Sequence, residues 1–184
     1  MKLRLARINL CTFLGLGAYI LYNMPGVGEG GFSYNKMFWL SPNPFFASLL
    51  QSLYASDDGK LISFLQFSYF SHVLSPFGDP LAKTFDIIAN DDLSHAKALA
   101  ETIVMLGEKP LPSSKGKLLS LRNIRTETDK ASILLTAVEL KEKSVINLRT
   151  TIAKIDNRYI KNLLTRILNE EVYSLNILNS ISER

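Results

Sequence analysis

The sequence predicts an all-α fold, a single bundle of four long helices. A chain of 184 residues with 47% hydrophobic content is long enough to bury one core. Apolar residues recur three and four apart over four segments, and no convincing alternation of the strand type interrupts them. The four predicted helices span residues 44–74, 80–106, 128–155 and 156–181.

Local signals mark the helix ends. Asn43 can cap the first helix with Pro44 at its first position, and Asp79 with Pro80 repeats the signal for the second. Gly107 is a favourable residue just past the end of the second helix. Asp156 can cap the fourth helix.

The stretch "SDDGK" leaves two alternatives inside the first helix. Gly59 is either tolerated there, at about 1 kcal/mol relative to alanine, or it breaks the helix in two. In the second case Ser56 caps the second half. Lys60 points inward in both.

The lengths of the connections predict how the helices are arranged. The first and second helices, and the third and fourth, are joined by short turns. The connector "EKPLPSSKGKLLSLRNIRT" between the second and third helices has 19 residues. It can reach about 60 Å, more than the roughly 40 Å length of the second helix. The chain can therefore return along the bundle before the third helix begins, which makes the second and third helices parallel.

Polar residues interrupt the inner face of every predicted helix near its midpoint. On the third helix the predicted inward series is Leu135, Val138, Glu142, Val145 and Ile152. Packing would bring the four interruptions to one level as a buried polar layer. Buried carboxylates need compensating cations, either a metal or ammonium groups. The predicted members of the layer are Lys60, Asp92, His95, Glu142, Glu171 and Ser174.

At these residues the sequence resembles the ferritin-like, rubrerythrin-type superfamily. "DDLSHAKALAETIVMLGEKP" resembles the second helix of the rubrerythrin-like and manganese-catalase-like proteins of spore-forming bacteria, and "NPFFASLLQSLYASDDGKLISFLQFSYFS" their first. "KIDNRYIKNLLTRILNEEVYSLNIL" is similar to their last helix, so the resemblance covers roughly residues 43–181. It implies a ferritin-like four-helix bundle with a long crossover between the second and third helices. The metal centre of such bundles uses one Glu from each of two helices and a Glu-x-x-His from each of the other two.

The match to that metal centre is uneven. Lys60 stands where the first helix should supply Glu, and Asp92-x-x-His95 replaces Glu-x-x-His on the second. The resemblance assigns Glu142 to the third-helix Glu. On the last helix Ser174 replaces the His that should follow Glu171. A normal two-metal centre is therefore not expected, and the site is interpreted as degenerate.

Two states of the layer remain open. In the first there is no cofactor, and the ammonium of Lys60 lies among Asp92, Glu142 and Glu171 as an internal cation. In the second, one iron or manganese ion is held by Asp92, His95, Glu142 and Glu171. The low histidine count and the single Cys11 exclude a Cys-rich zinc site and an intrachain disulfide.

The preferred functional interpretation is that the protein is a structural or assembly component, and this interpretation is favoured over an enzyme. The alternative is a metal-binding oxidoreductase of peroxidase, catalase or oxidase type, or an iron- or manganese-handling protein. By analogy with the family we expect a homo-oligomer, such as a dimer, or a larger assembly, in a bacterial and spore-associated setting. The 21 Lys and Arg are spread along the chain against 17 Asp and Glu, so no nucleic-acid partner is expected.

Residues 1–42 are expected to form an apolar arm and irregular lead-in, with the bundle at 43–184. Lys2, Arg4 and Arg7 precede the apolar run "INLCTFLGLGAYILY". That order suits a packed arm, a signal or short anchor, or a start-site artefact. Any membrane contact is expected only through residues 8–22, if that segment is an anchor. The expected compartment is cytoplasmic or spore-associated, with membrane or exported locations as the alternatives.

Overall fold

The computed structural model describes residues 40–183, most of which fold into α-helices. None of the helices within residues 40–183 has both the length and the hydrophobicity that a membrane-spanning segment needs. Of the predicted arm and lead-in at residues 1–42, residues 1–39 lie outside the described residues. Within residues 40–183 the five α-helices are α1 (Pro44–Ala55), α2 (Lys60–Leu74), α3 (Pro80–Met105), α4 (Lys130–Ile152) and α5 (Arg158–Ser182).

The all-α class is confirmed, and the local end signals account for most helix boundaries. The Asn43 carboxamide oxygen accepts a hydrogen bond from the Phe46 amide at 2.9 Å, as an N-cap should. Asp79 caps α3 in the same way. Gly107 has φ 85°, the left-handed conformation that terminates α3. The cap of α5 is Asn157 and not the predicted Asp156.

The first predicted helix is broken into α1 and α2 at residues 56–59. Ser56 does not cap α2, because the N-cap residue is Gly59 and no side chain bonds the first turn. A Cβ at Gly59 would lie 2.7 Å from the Ser56 nitrogen and 2.9 Å from the Tyr54 oxygen, so the bend needs glycine. Lys60, the first residue of α2, is buried inside the bundle as predicted.

Two apolar clusters fill the ends of the bundle and show that α3 and α4 run parallel. One cluster joins the starts of α3 and α4 to the ends of α2 and α5, and includes Phe67, Phe70, Phe85, Ile133 and Leu178. The other joins the ends of α3 and α4 to α1 and the start of α5, and includes Leu50, Leu99, Ile103, Leu148 and Leu164. The crossover predicted from loop length is therefore correct.

The crossover between α3 and α4 runs beside α1 and α2. It contains a minimal antiparallel hairpin, β1 (Ser113–Ser114) and β2 (Lys117–Leu118), and a 3-10 turn at Leu121–Asn123. Contacts at successive levels attach it to the bundle, which fixes its path over the helices. They join Gln51 to Ser113 at 2.7 Å, Asp57 to Lys117 at 3.0 Å, and Gln66 to Arg125 at 2.7 and 2.9 Å.

Candidate functional site: a buried charge cluster

Polar side chains from four helices meet between the two apolar clusters. Lys60 comes from α2, Asp92 and His95 from α3, Lys141 from α4 and Glu171 from α5. Each is at most 3% exposed. The structure therefore contains one buried polar layer at the level that the four interrupted helix faces predict.

The structure corrects the prediction that Glu142 belongs to the buried polar layer. Glu142 is exposed, and its neighbour Lys141, 1% exposed, occupies the interior. The cause is the rotation of α4, because the predicted inward residue Leu135 is 70% exposed. The stripe that faces inward has the same three-and-four spacing. Its members are Ile133, Leu134, Ala137, Lys141, Ser144, Val145 and Leu148.

Two lysines and two carboxylates form a closed ring of alternating charge, which we call the charge ring (Lys60, Asp92, Lys141 and Glu171). The Lys60 ammonium lies 2.9 Å from Asp92 Oδ1 and 2.7 Å from Glu171 Oε2. The Lys141 ammonium lies 3.0 Å from Asp92 Oδ2 and 3.0 Å from Glu171 Oε1. Every carboxylate oxygen of the ring therefore contacts an ammonium, and the formal charges cancel.

Three further contacts complete the ring. Lys60 also donates to the Ser144 hydroxyl at 2.9 Å, and the Ser63 hydroxyl donates to Asp92 Oδ2 at 2.6 Å. The Lys141 ammonium lies 4.9 Å from the centre of the Phe67 ring, within range of a cation–π contact. The sequence reasoning missed Ser63, Lys141 and Ser144. The sequence signal that could have found Lys141 and Ser144 was the second series of residues with helical spacing on α4, which contains both.

The pKa values follow the ring geometry. Burial alone would raise the pKa of the Asp92 carboxyl, but the charges of Lys141 and Lys60 lower it below its usual value. The same balance holds the pKa of Glu171 well below its usual range. Burial would lower the pKa of Lys141, and Asp92 and Glu171 reverse that effect and raise it. The two carboxylates therefore stay ionised, and Lys141 stays protonated, at neutral pH.

His95 links the charge ring to the surface. Its Nε2 lies 2.6 Å from an oxygen of Glu170, a residue that sequence reasoning missed and that is 42% exposed. Its Nδ1 faces Asp92 at 3.8 Å and Glu171 at 3.6 Å, too far for a hydrogen bond, and has no hydrogen-bond partner in residues 40–183. Burial lowers the His95 pKa, but the carboxylates of Asp92, Glu170 and Glu171 outweigh it and raise the pKa to about 10.

The same residues fit a metal ion poorly. Asp92, His95 and Glu171 each offer one donor atom, and these atoms lie within 4.8 Å of one another. Two carboxylates and an imidazole would suit iron or manganese. Lys60 and Lys141 nevertheless contact all four carboxylate oxygens, so a divalent cation would have to displace one ammonium and lie beside the other. The predicted ligand Glu142 lies outside the cluster, and Ser174 is buried one turn beyond Glu171.

Comparisons with known proteins establish the fold. The sequence matches no protein-family model and no curated protein. Among solved structures, the chain is similar to KatB, a manganese catalase from Anabaena PCC7120, with a TM-score of 0.73 over 85% of this chain and 80% of that one. The chain has a ferritin-like fold. The two sequences are 16% identical, so the likeness of this ferritin-like bundle to KatB extends to the fold alone.

Proposed function

We propose that this ferritin-like protein is a non-enzymatic structural or assembly component in which the charge ring replaces a metal centre. The observation that supports this is the pairing of both ring carboxylates with two buried ammonium groups. A metal centre in this fold neutralises its carboxylates with metal cations. Here Lys60 and Lys141 supply two positive charges at the same level of the bundle.

The position of each lysine supports the same proposal. In a two-metal ferritin-like centre, two helices supply a single Glu and the other two supply Glu-x-x-His. In this chain α2 and α4 supply Lys60 and Lys141, α3 supplies Asp92 and His95, and α5 supplies Glu171 with Ser174 one turn later. Three of the six expected donors are therefore side chains that do not bind a metal well.

If the bundle has no reactive metal centre, we expect its role to be structural, as a component of an assembly. Large apolar side chains lie exposed on α4, among them Leu135 at 70% and Ile146 at 59%, and they offer area for contact with another subunit. We propose a homo-oligomer or a layer of a larger assembly, with a bacterial spore as the setting that the family resemblance implies.

One observation favours a second candidate, a protein that binds one iron or manganese ion. His95 Nδ1 is buried, has no hydrogen-bond partner in the described residues, and faces Asp92 and Glu171. An imidazole nitrogen aimed at two carboxylates is a common arrangement for a metal ligand. Binding would require His95 to lose a proton, which the carboxylates of Asp92, Glu170 and Glu171 oppose, and one ring ammonium to move away from the carboxylates.

Restoring the missing ligands tests whether the ring stands in a former metal site. The triple variant Lys60→Glu, Lys141→Glu, Ser174→His should take up iron or manganese, because it supplies four carboxylates and two imidazoles, with Asp92 in place of one Glu. The matched control carries Lys143→Glu in place of Lys141→Glu, since Lys143 is exposed on the same helix. Uptake by the triple variant alone supports the proposal. Equal uptake by both variants, or by neither as folded proteins, contradicts it.

Activity assays separate the two candidate functions. The unmodified chain, incubated with iron or manganese and then freed of unbound metal, should not decompose peroxide faster than the buffer blank. Turnover that His95→Ala abolishes would establish the metal-dependent alternative, because His95 is the one imidazole that faces the ring.

A further inference from the structure

The central part of the crossover, between Glu108 and Glu127, carries a charge imbalance that the chain as a whole does not show. Residues 109–126 contain five Lys and Arg and no Asp or Glu, whereas the entire chain has a net charge of +4. The cations are Lys109, Lys115, Lys117, Arg122 and Arg125. Two of them are paired with acids outside the segment, Lys117 with Asp57 and Arg125 with Glu139. The segment is therefore a basic strip on an otherwise balanced protein.

Large apolar side chains alternate with these cations and face solvent. Leu118 is 72% exposed, Leu121 63% and Leu111 52%. These three leucines lie within eleven residues of a loop that is attached to the bundle. Lys109, Lys115 and Arg122, which are close to these leucines in the sequence, are exposed as well. The segment thus offers apolar and cationic groups together.

The backbone holds this segment in a defined shape. Lys115 and Gly116 have φ values of 52° and 75°, which form a tight turn between β1 and β2. The Leu119 amide donates to the Pro112 carbonyl at 2.8 Å and closes the hairpin. Gln51 and Gln66 attach the two ends of the crossover to the bundle. Because the backbone of the segment is already ordered, binding to a surface should cost it little backbone conformational entropy.

We propose that the crossover hairpin is a docking site for the surface of an anionic phospholipid bilayer. Lysine and arginine are attracted to anionic headgroups, and apolar side chains among them can enter the boundary between headgroups and acyl chains. Nucleic acid is the weaker match, because the strip presents leucines where single-stranded binding would use aromatic side chains and duplex binding would use few apolar ones. This docking is independent of the metal state of the charge ring.

Vesicle flotation with the full chain tests the proposal. Two variants address the two kinds of contact: Lys109→Gln with Lys115→Asn and Arg122→Gln, and Leu118→Ser with Leu121→Ser. Asparagine is chosen at Lys115 because it tolerates positive φ. The full chain should float with vesicles of phosphatidylcholine and phosphatidylglycerol but not with phosphatidylcholine alone. Each variant should bind the anionic vesicles at least about tenfold more weakly.

Matched controls keep the same number of changes at exposed sites away from the crossover. They are Lys97→Gln with Arg158→Gln and Lys161→Gln, and Phe77→Ser with Ile87→Ser. Both controls should bind as the unmodified chain does. Residues 8–22 are the same in all these proteins, so binding that survives in the crossover variants would come from elsewhere and overturn the proposal. Absence of vesicle binding, or binding to a DNA duplex in preference to vesicles, would overturn it as well.

Discussion

Replacing Lys141 by methionine should destabilise the fold strongly. Methionine keeps most of the side-chain volume, so the main loss is the ammonium that lies 3.0 Å from Asp92 and 3.0 Å from Glu171. Removing one partner of a buried ion pair costs about 3 to 5 kcal/mol, because the remaining charge stays buried without compensation. For a domain of this size the loss corresponds to a fall in Tm of roughly 6 to 20 °C.

Urea denaturation followed by circular dichroism measures the effect, and Lys143→Met is the matched control. Lys143 lies two residues further along α4, is exposed, and pairs with Glu139 at 2.7 Å on the surface. Its substitution should cost no more than about 1 kcal/mol, since surface ion pairs contribute little. Equal small losses in the two variants would refute the conclusion that the charge ring stabilises the bundle.

Three other predictions concern pH and the break in the first helix. Because the His95 pKa is raised to about 10, its contribution to the free energy of unfolding should be complete below pH 6.5 and be lost between pH 6.5 and 10. Denaturation at pH 6 and pH 10 should show that loss in the unmodified chain and a smaller one in His95→Gln. The pKa values of Asp92 and Glu171 are lowered, so their contribution should be present at neutral pH and disappear as the pH falls below about 4, which acid titration of the helical signal measures. Gly59→Ala should lower the free energy of unfolding by about 1 to 3 kcal/mol in urea denaturation, because its Cβ would meet a backbone atom at 2.7 Å. Gly78→Ala is the control and should cost less, since only the positive φ of Gly78 opposes the change. Equal losses in the two variants would contradict this explanation of the break.

The features that the sequence predicted well are set by short-range chemistry. Asn43 and Asp79 cap helices because their side chains reach amides two or three residues away. Gly107 ends α3 because the terminating conformation has positive φ. The parallel arrangement of α3 and α4 was predicted from the length of the 19-residue connector between them. These features needed no knowledge of tertiary contacts.

The predictions that were wrong or left open concern features that depend on tertiary packing. Lys141 and Glu142 are adjacent on α4, and each lies on a stripe with helical spacing, so periodicity could not choose between them. The choice is made by the two carboxylates opposite, which attract Lys141 and would repel Glu142. The break at Gly59 was one of two open alternatives, since its stability depends on the close backbone approach across residues 54–59. The metal state and the partner remain predictions.

Elemental analysis of the unmodified protein tests the central claim most directly. The chain should be purified without chelator or nickel affinity resin, and analysed by mass spectrometry before and after incubation with iron and manganese. Because Lys60 and Lys141 already neutralise the ring carboxylates, we expect fewer than about 0.1 metal ions per chain in both samples. About one ion per chain, lost in His95→Ala, would contradict the account and establish Asp92, His95 and Glu171 as a metal site.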